Sequence, residues 1–156
     1  MQISFAAPKA LVSSGSWVVA AFEGGALTAA ALRADKASGG ALSRGLKFSR
    51  FKGKAGELLE VLAPGGLSVS RILLVGLGKP EALNEKGLEV IGAQIVARLH
   101  TLGETAATFE IEGKGAKVKS GEIAAHLAFG ARLRSYSFDK YRTRNLDDYK
   151  KRLDMV

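Results

Sequence analysis

The chain has 156 residues, no cysteine, and 23 Lys+Arg against 15 Asp+Glu, for a net charge of +8. The length suits one domain, able to bury roughly 70% of the surface its unfolded form exposes. The lack of cysteine excludes disulfides, thiolate zinc sites and cysteine nucleophiles, and fits a reducing compartment.

No apolar run approaches the ~20 residues of a membrane span. The first residues, MQISFAAPKALVSSGSW, lack the basic start and apolar core of a signal peptide. The expectation is a soluble cytoplasmic protein with no membrane partner.

Ile3 and Phe5, with Ser4 between them, allow a short edge strand at most. Residues 17–22, WVVAAF, read as a buried strand closed by Gly24 and Gly25. Residues 26–35 are rich in alanine and leucine and read as a short helix, which residues 38–44 continue. Residues 48–56, FSRFKGKAG, are basic and punctuated by glycine, which predicts a loop or hairpin turn. Residues 57–62, ELLEVL, make a strand. The turn Ala63, Pro64, Gly65, Gly66 joins it as a hairpin to the next strand, so the sheet is mixed.

That next strand organises the chain. Ile72, Leu73, Leu74 and Val75 are apolar without alternation, which requires cover on both faces and places the strand in the middle of an α/β sheet. Gly76, Gly78 and Pro80 end it. A covering helix follows over residues 84–103: Asn84 is its N-cap, Leu88, Ile91, Ile95, Leu99 and Leu102 form its apolar stripe, and Gly103 stands at its exit.

Residues 106–111 give a further strand, and Gly113, Lys114 and Gly115 a polar turn. Ser120 is read as the cap of a second helix over residues 121–136, with Glu122 near its positive end. One face of this helix carries Ile123, Ala124, Leu127, Ala128 and Ala131. The opposite face carries Ala125, Phe129, Leu133 and Tyr136. A helix apolar on both sides needs a second partner besides the sheet.

Residues 132–152 hold eight bases (Arg132, Arg134, Lys140, Arg142, Arg144, Lys150, Lys151, Arg152) against three acids (Asp139, Asp147, Asp148), more than half of the net charge. A nucleic-acid surface and a solvated linker are the two readings. The linker is preferred because no nucleic-acid module accompanies the charge. Leu153, Asp154, Met155 and Val156 alternate like the start of a strand, which hints at a longer protein; a frayed end reads as well.

No assembled chemistry is visible. Gly76 and Gly78 lack the third glycine of a dinucleotide fingerprint, since Glu81 stands there. They lack the Ser or Thr of a Walker loop, since Pro80 follows Lys79. His100 and His126 fall on different helices without paired ligands; His100 is placed to meet the negative end of its helix dipole, and His126 reads as a packed or partly exposed residue. The carboxylate pairs Glu57 with Glu60, Glu110 with Glu112 and Asp147 with Asp148 are scattered, and Lys52, Lys54 and Lys79 read as surface. No catalytic, cofactor-binding or metal-ligating residue is assigned.

The order of several short motifs nevertheless resembles the N-terminal domain of the leucyl aminopeptidase (cytosol aminopeptidase) family. They are Asp35 with Gly39 and Gly40; Phe51, Lys52, Gly53 and Lys54; the stretch from Pro64 to Gly78 ending VGLG before Lys79; and the exit Gly130, Leu133, Tyr136, Phe138, Asp139, Lys140 and Tyr141. The resemblance implies a macro-domain-like, three-layer α/β/α sandwich with a mixed sheet over residues 1–136. Residues 137–156 would then be a charged connector to a C-terminal catalytic domain that this chain lacks.

In the family that second domain binds two divalent metal ions (manganese or zinc) and removes N-terminal amino acids from peptides, and the members assemble as hexamers. The family's Asn-Thr-Asp-Ala-Glu-Gly-Arg stretch does not occur here, so no site residue is carried over and this chain alone is expected to be inactive. The alternatives are a free-standing macro-type module that binds ADP-ribose, and a nucleic-acid-binding domain.

Overall fold

Seven residues, Ser16–Phe22, form strand β1, and all seven are buried. A strand without a solvent face can sit only inside a sheet covered on both sides. The computed structural model describes residues 1–7 and 11–136 and the backbone of residues 154 and 155, and there β1 lies between two parallel neighbours.

After β1 come β2 (Ala26–Leu27), α1 (Ala29–Ala37), α2 (Ala41–Phe48), β3 (Leu58–Leu62), β4 (Arg71–Gly76), α3 (Glu85–Thr101), β5 (Ala106–Phe109), α4 (Ser120–Ser135) and β6 (Asp154–Met155). The sheet order is β3-β4-β1-β5-β6, with β2 paired to β1. β1 runs parallel to β4 and to β5, β5 runs parallel to β6, and β3 runs antiparallel to β4. The expected mixed sheet and the hairpin joining β3 to β4 are both present. The middle position belongs to β1, with β4 beside it.

Alternation along the strands divides the core into two layers. Val18, Ala20, Leu73 and Val75 face α3 and α4, where Leu88, Ile95, Leu99, Ile123 and Leu127 cover them. Trp17, Val19, Ile72 and Leu74 face α1 and α2, where Ala30, Ala31, Ala34 and Leu42 cover them. The result is an α/β/α sandwich. Alanines on α1 let that helix approach the sheet beside the indole of Trp17, which is fully buried.

Several elements depart from the sequence expectation. Ala26 and Leu27 pair with Phe22 and Ala21 as a short strand, not as helix. The helix starts after Thr28, whose Oγ1 accepts from Ala31 N at 3.4 Å and donates to Ala20 O at 2.9 Å. Residues 38–44 do not continue α1: Gly39 and Gly40 take left-handed φ of 64° and 81°, and α2 begins as a separate helix. Asp35 fixes that break by accepting from Ser43 N at 2.9 Å and bonding its hydroxyl. Phe48 belongs to α2. Ser120 is the first residue of α4 and not its cap; Glu122 accepts from Lys119 N at 3.0 Å. Ile3 makes an isolated bridge and Phe5 is exposed, so no strand forms there.

α3 keeps its expected ends, with Asn84 accepting from Gly87 N at 2.8 Å and Gly103 in the left-handed region. Residues 154 and 155, in the stretch read as the start of a strand, pair with Ala106 and Ala107. The charged stretch of residues 137–153 lies outside the described residues.

α4 packs on α3 as well as on the sheet side of the core. The two helices meet backbone to backbone: a Cβ on Gly92 would lie 2.2 Å from Leu127 O, and one on Gly130 would lie 1.9 Å from Glu89 O. Only glycine fits either position. Gly130→Ala should force the helices apart and destabilise the fold by about 1–3 kcal/mol. Urea unfolding measures this directly, and an unchanged midpoint would show that the crossing is looser than described.

Candidate functional site

In an open α/β sheet, ligands bind outside the carboxyl ends of the parallel strands, where loop amides are free. Two of those ends are the turns after β1 (residues 23–25) and β4 (residues 76–78). All six amides are already donated within the chain. Glu23 N bonds Gly78 O at 2.9 Å, Gly24 N bonds Lys52 O at 2.8 Å, and Gly25 N bonds Phe22 O at 3.1 Å. Gly76 N bonds Glu57 O at 2.8 Å, Leu77 N bonds Ala21 O at 2.9 Å, and Gly78 N bonds Gly53 O at 2.9 Å.

Three of the six acceptors, Lys52, Gly53 and Glu57, lie in residues 52–57. Gly53 has φ of 79°, and a Cβ there would lie 2.1 Å from Phe22 O; a Cβ on Gly76 would lie 2.1 Å from Lys54 O. The backbone of this segment therefore fills the crevice between β1 and β4. The motif Phe51, Lys52, Gly53, Lys54 holds the fold together, since Phe51 is buried under α1 and α2 and Gly53 permits the close contact. Glu57 fastens the loop, its carboxylate accepting from Lys52 N at 2.8 Å and Lys54 N at 3.1 Å.

The other residues singled out in the sequence do not converge. Glu60 pairs with Arg71 and, at 3.1 Å, with Arg98. Arg71 also reaches Glu104 at 2.5 Å. Glu110 accepts from Trp17 Nε1 at 3.2 Å and pairs with Arg33. Glu57 and Glu60 thus serve separate structural roles, one in the loop and one at the sheet edge, and Asp147 with Asp148 lies outside the described residues. His126 is part-buried, with Nδ1 2.9 Å from Glu89 and Nε2 3.9 Å from Glu85. Glu85 and Glu89 stand four apart on α3, a visible spacing; their meeting with α4 is not.

His100 lies in the last turn of α3, as expected, yet its pKa is lowered. Partial burial is the main cause, followed by Arg134 and the terminal amino group. Among the described residues no three His, Cys, Asp or Glu side chains are grouped to hold a metal ion, so the described residues do not fit a two-metal centre. An open groove of about 850 Å³ lies between the start of α3 and residues 117–122, lined by Leu83, Asn84, Lys86, Val90, Lys117 and Glu122. Its Asn84 and Glu122 side chains are occupied as helix caps.

One surface stands apart. On α4, Ile123, Leu127, Ala128 and Ala131 are buried, while Phe129 and Leu133, and Tyr136 just past the helix end, are exposed by 52%, 60% and 71%. Ala124, read from the sequence as part of the inner face, is exposed as well. The outer apolar face that the sequence shows is therefore uncovered by the described residues.

The Glu57 carboxyl is held below its ordinary value of 4.5, chiefly by the Lys52 amide. Its contribution to stability is present above that value and is lost as the pH falls through the lower folded one. In urea melts across the acid range, Glu57→Gln should flatten this part of the pH dependence. An identical dependence in the variant would count against the loop contact.

Residues 18–145 match the profile of the cytosol aminopeptidase family, N-terminal domain. A probable cytosol aminopeptidase of Caulobacter vibrioides is 36% identical over 144 residues, 92% of this chain and 28% of that protein. One from Rhodopseudomonas palustris (strain BisA53) is 42% identical over 108 residues, 69% of this chain and 21% of that protein. The chain thus spans about a quarter of the length of these curated relatives.

A tomato leucine aminopeptidase variant superposes with a TM-score of 0.67 at 20% identity, over 97% of this chain and 33% of that one. The macrodomain of Mycobacterium tuberculosis DarG superposes with a TM-score of 0.70 at 9% identity, over 99% and 95%. Both likenesses establish the fold and nothing more. With most of its length matched by the family profile and its sheet order and layers in place, the chain belongs to the cytosol aminopeptidase family, as its N-terminal domain.

Proposed function

We propose that this chain is the non-catalytic N-terminal domain of a cytoplasmic, metal-dependent aminopeptidase. The observation that carries the reading is the family match over residues 18–145. In this proposal the two divalent ions, manganese or zinc, and the groups that cleave N-terminal residues from peptides belong to a C-terminal catalytic domain outside this sequence. Residues 1–136 form the domain, and residues 137–156 connect it, with Asp154 and Met155 resting on the sheet edge.

The outer face of α4 supports this division. Phe129 and Leu133 present apolar surface that costs about 25 cal/mol for each Å² left in water. We assign that face to contact with the catalytic domain of the same protein. Through it the domain would support a hexamer and shape the approach of peptides.

The ADP-ribose reading loses support at the carboxyl ends of β1 and β4. A diphosphate is held by free loop amides, and the six amides there are bonded to Phe22, Lys52, Gly53, Glu57, Gly78 and Ala21. Calorimetric titration of the chain with ADP-ribose should give no binding heat; micromolar affinity would restore that reading.

Activity assays address the main proposal. The 156-residue chain with a leucyl substrate and manganese or zinc should turn over no faster than the blank. Metal-dependent hydrolysis by this chain would overturn the assignment.

A further inference from the structure

β3 is the outer strand of the sheet, with a neighbour on one side only. Its ladder with β4 decides which of its backbone groups are used. Ala63 N bonds Ser70 O at 2.9 Å, and Gly76 N bonds Glu57 O at 2.8 Å. Bonded positions alternate in an antiparallel pair, so residues 59 and 61 aim their amides and carbonyls at β4, as 57 and 63 do. Leu58, Glu60 and Leu62 turn theirs the other way. None of those groups meets a backbone partner there among the described residues.

Free strand edges in folded proteins are normally guarded by lysine, by proline, by a bulge, or by a charge that pairing would bury. β3 has no lysine and no proline, and its register with β4 runs unbroken from Leu58 to Leu62. Its one charge, Glu60, is already met by Arg71 and Arg98. Both faces of the strand are covered: Leu58 packs into the layer under α3 and α4, and Leu59 and Val61 into the layer under α1 and α2. Leu62, at the strand's end, is 67% exposed. What stays open is the edge itself.

We propose that β3 pairs edge to edge with β3 of a second copy of this chain, antiparallel and centred on Glu60, joining the two sheets into one. The strand is self-complementary about that residue: Leu58, Leu59, Glu60, Val61 and Leu62 give the same order of apolar and acidic positions in both directions. A two-fold axis at Glu60 opposes Leu58 to the partner's Leu62 and Leu59 to the partner's Val61, apolar against apolar on each face. Each outward N–H at positions 58, 60 and 62 then meets a carbonyl of the copy. The two Glu60 carboxylates come together beside two copies of Arg71 and Arg98, which balance their charge. A slip of two residues either way would set Glu60 against a leucine, so the register is specified. An unrelated extended segment could use the free amides, but only a copy reproduces the symmetric pattern. The pairing stands apart from the assignment of the outer α4 face.

The experiment is sedimentation equilibrium of the full 156-residue chain. The contact is five residues long on each side, so a weak dimer is expected, with a dissociation constant of roughly 10–500 μM. Leu62→Pro removes one outward donor and leaves the bonds to β4 in place, since proline is accepted at an edge whose N–H faces water. It should raise the dissociation constant about tenfold or more, and Leu62→Lys, an edge guard, should do the same. Melting curves of both report whether the fold is intact. Cysteine crosslinking reads the register, since the chain has no cysteine of its own. Hydrogen-bonded residues across an antiparallel pair stand about 5.5 Å apart at Cα, within disulfide reach. On oxidation Glu60→Cys should therefore link to its own copy. Leu62→Cys should not, because its two copies lie at least ~13 Å apart along the strands.

A chain that stays monomeric up to about 1 mM overturns the proposal. So does a dimer whose affinity is unchanged in folded Leu62→Pro and Leu62→Lys, or a Leu62→Cys link that forms as readily as the Glu60→Cys one. Loss of the dimer in Phe129→Ser/Leu133→Ser, with the β3 variants unaffected, would assign the pairing to the outer face of α4 and overturn it too.

Discussion

Gly78 donates its amide to Gly53 O, Gly56 donates to Gly76 O, and Glu57 holds the amides of Lys52 and Lys54. Through these bonds residues 52–57 are laid across the carboxyl ends of β1 and β4. Much else follows from that one contact. It needs a residue without Cβ at Gly53 and at Gly76, because side chains there would enter the carbonyls of Phe22 and Lys54. It takes up three of the amides at these strand ends, those of Gly24, Gly76 and Gly78, of the kind that give such sheets their anion sites. It also turns Lys52 and Lys54 outward, since the inner side of the loop is committed to the crevice. A scaffold whose topology favours a ligand at this place is thereby closed by its own chain.

The opposite layer is arranged by a second close approach. Gly92 and Gly130 let α3 and α4 cross at backbone contact. The crossing brings His126 against Glu89 and near Glu85, and it turns Phe129 and Leu133 away from the core. Two faces of one helix are thus sorted by the glycine at its middle. Gly130 is also one of the residues that carry the resemblance to the aminopeptidase family, and the crossing supplies the physical reason for a glycine there.

The charged side chains divide by the same logic. Arg71, Glu60, Glu104 and Arg98 form a network at the edge between β3, β4 and the end of α3, and Glu110 serves the buried indole of Trp17 and Arg33. Arg71, Glu104 and Glu110 are largely buried, where a charge without a partner is costly. The cations of residues 44–54 form no ion pair of this kind among the described residues; Arg44 donates to Gly39 O at 2.5 Å, and Lys54 lies near enough to Glu57 to help hold its carboxyl low. Partnered and unpartnered charge cannot be told apart by counting residues, and the total of +8 conceals the difference.

The amino-acid sequence by itself determined the elements whose signals are local. β1 and β4 are apolar without alternation, α3 carries its stripe between Asn84 and Gly103, and the turn after Leu62 returns the chain as a hairpin. Period, cap and turn residues act within a few positions, so they are legible without the fold. Where they failed, a local competitor won: Thr28 capped α1 later than the alanines suggested, and Gly39 with Gly40 broke a helix that composition alone would continue. Tertiary structure alone decided the central place of β1, the plugging of the strand ends and the partners of Glu60 and His126. It also decided which face of α4 the described residues leave uncovered. Those outcomes join residues far apart in the chain, His126 and Glu89 by 37 positions and Arg71 and Glu104 by 33. Contacts at such separations are fixed by how the layers pack, and no spacing in the sequence encodes them.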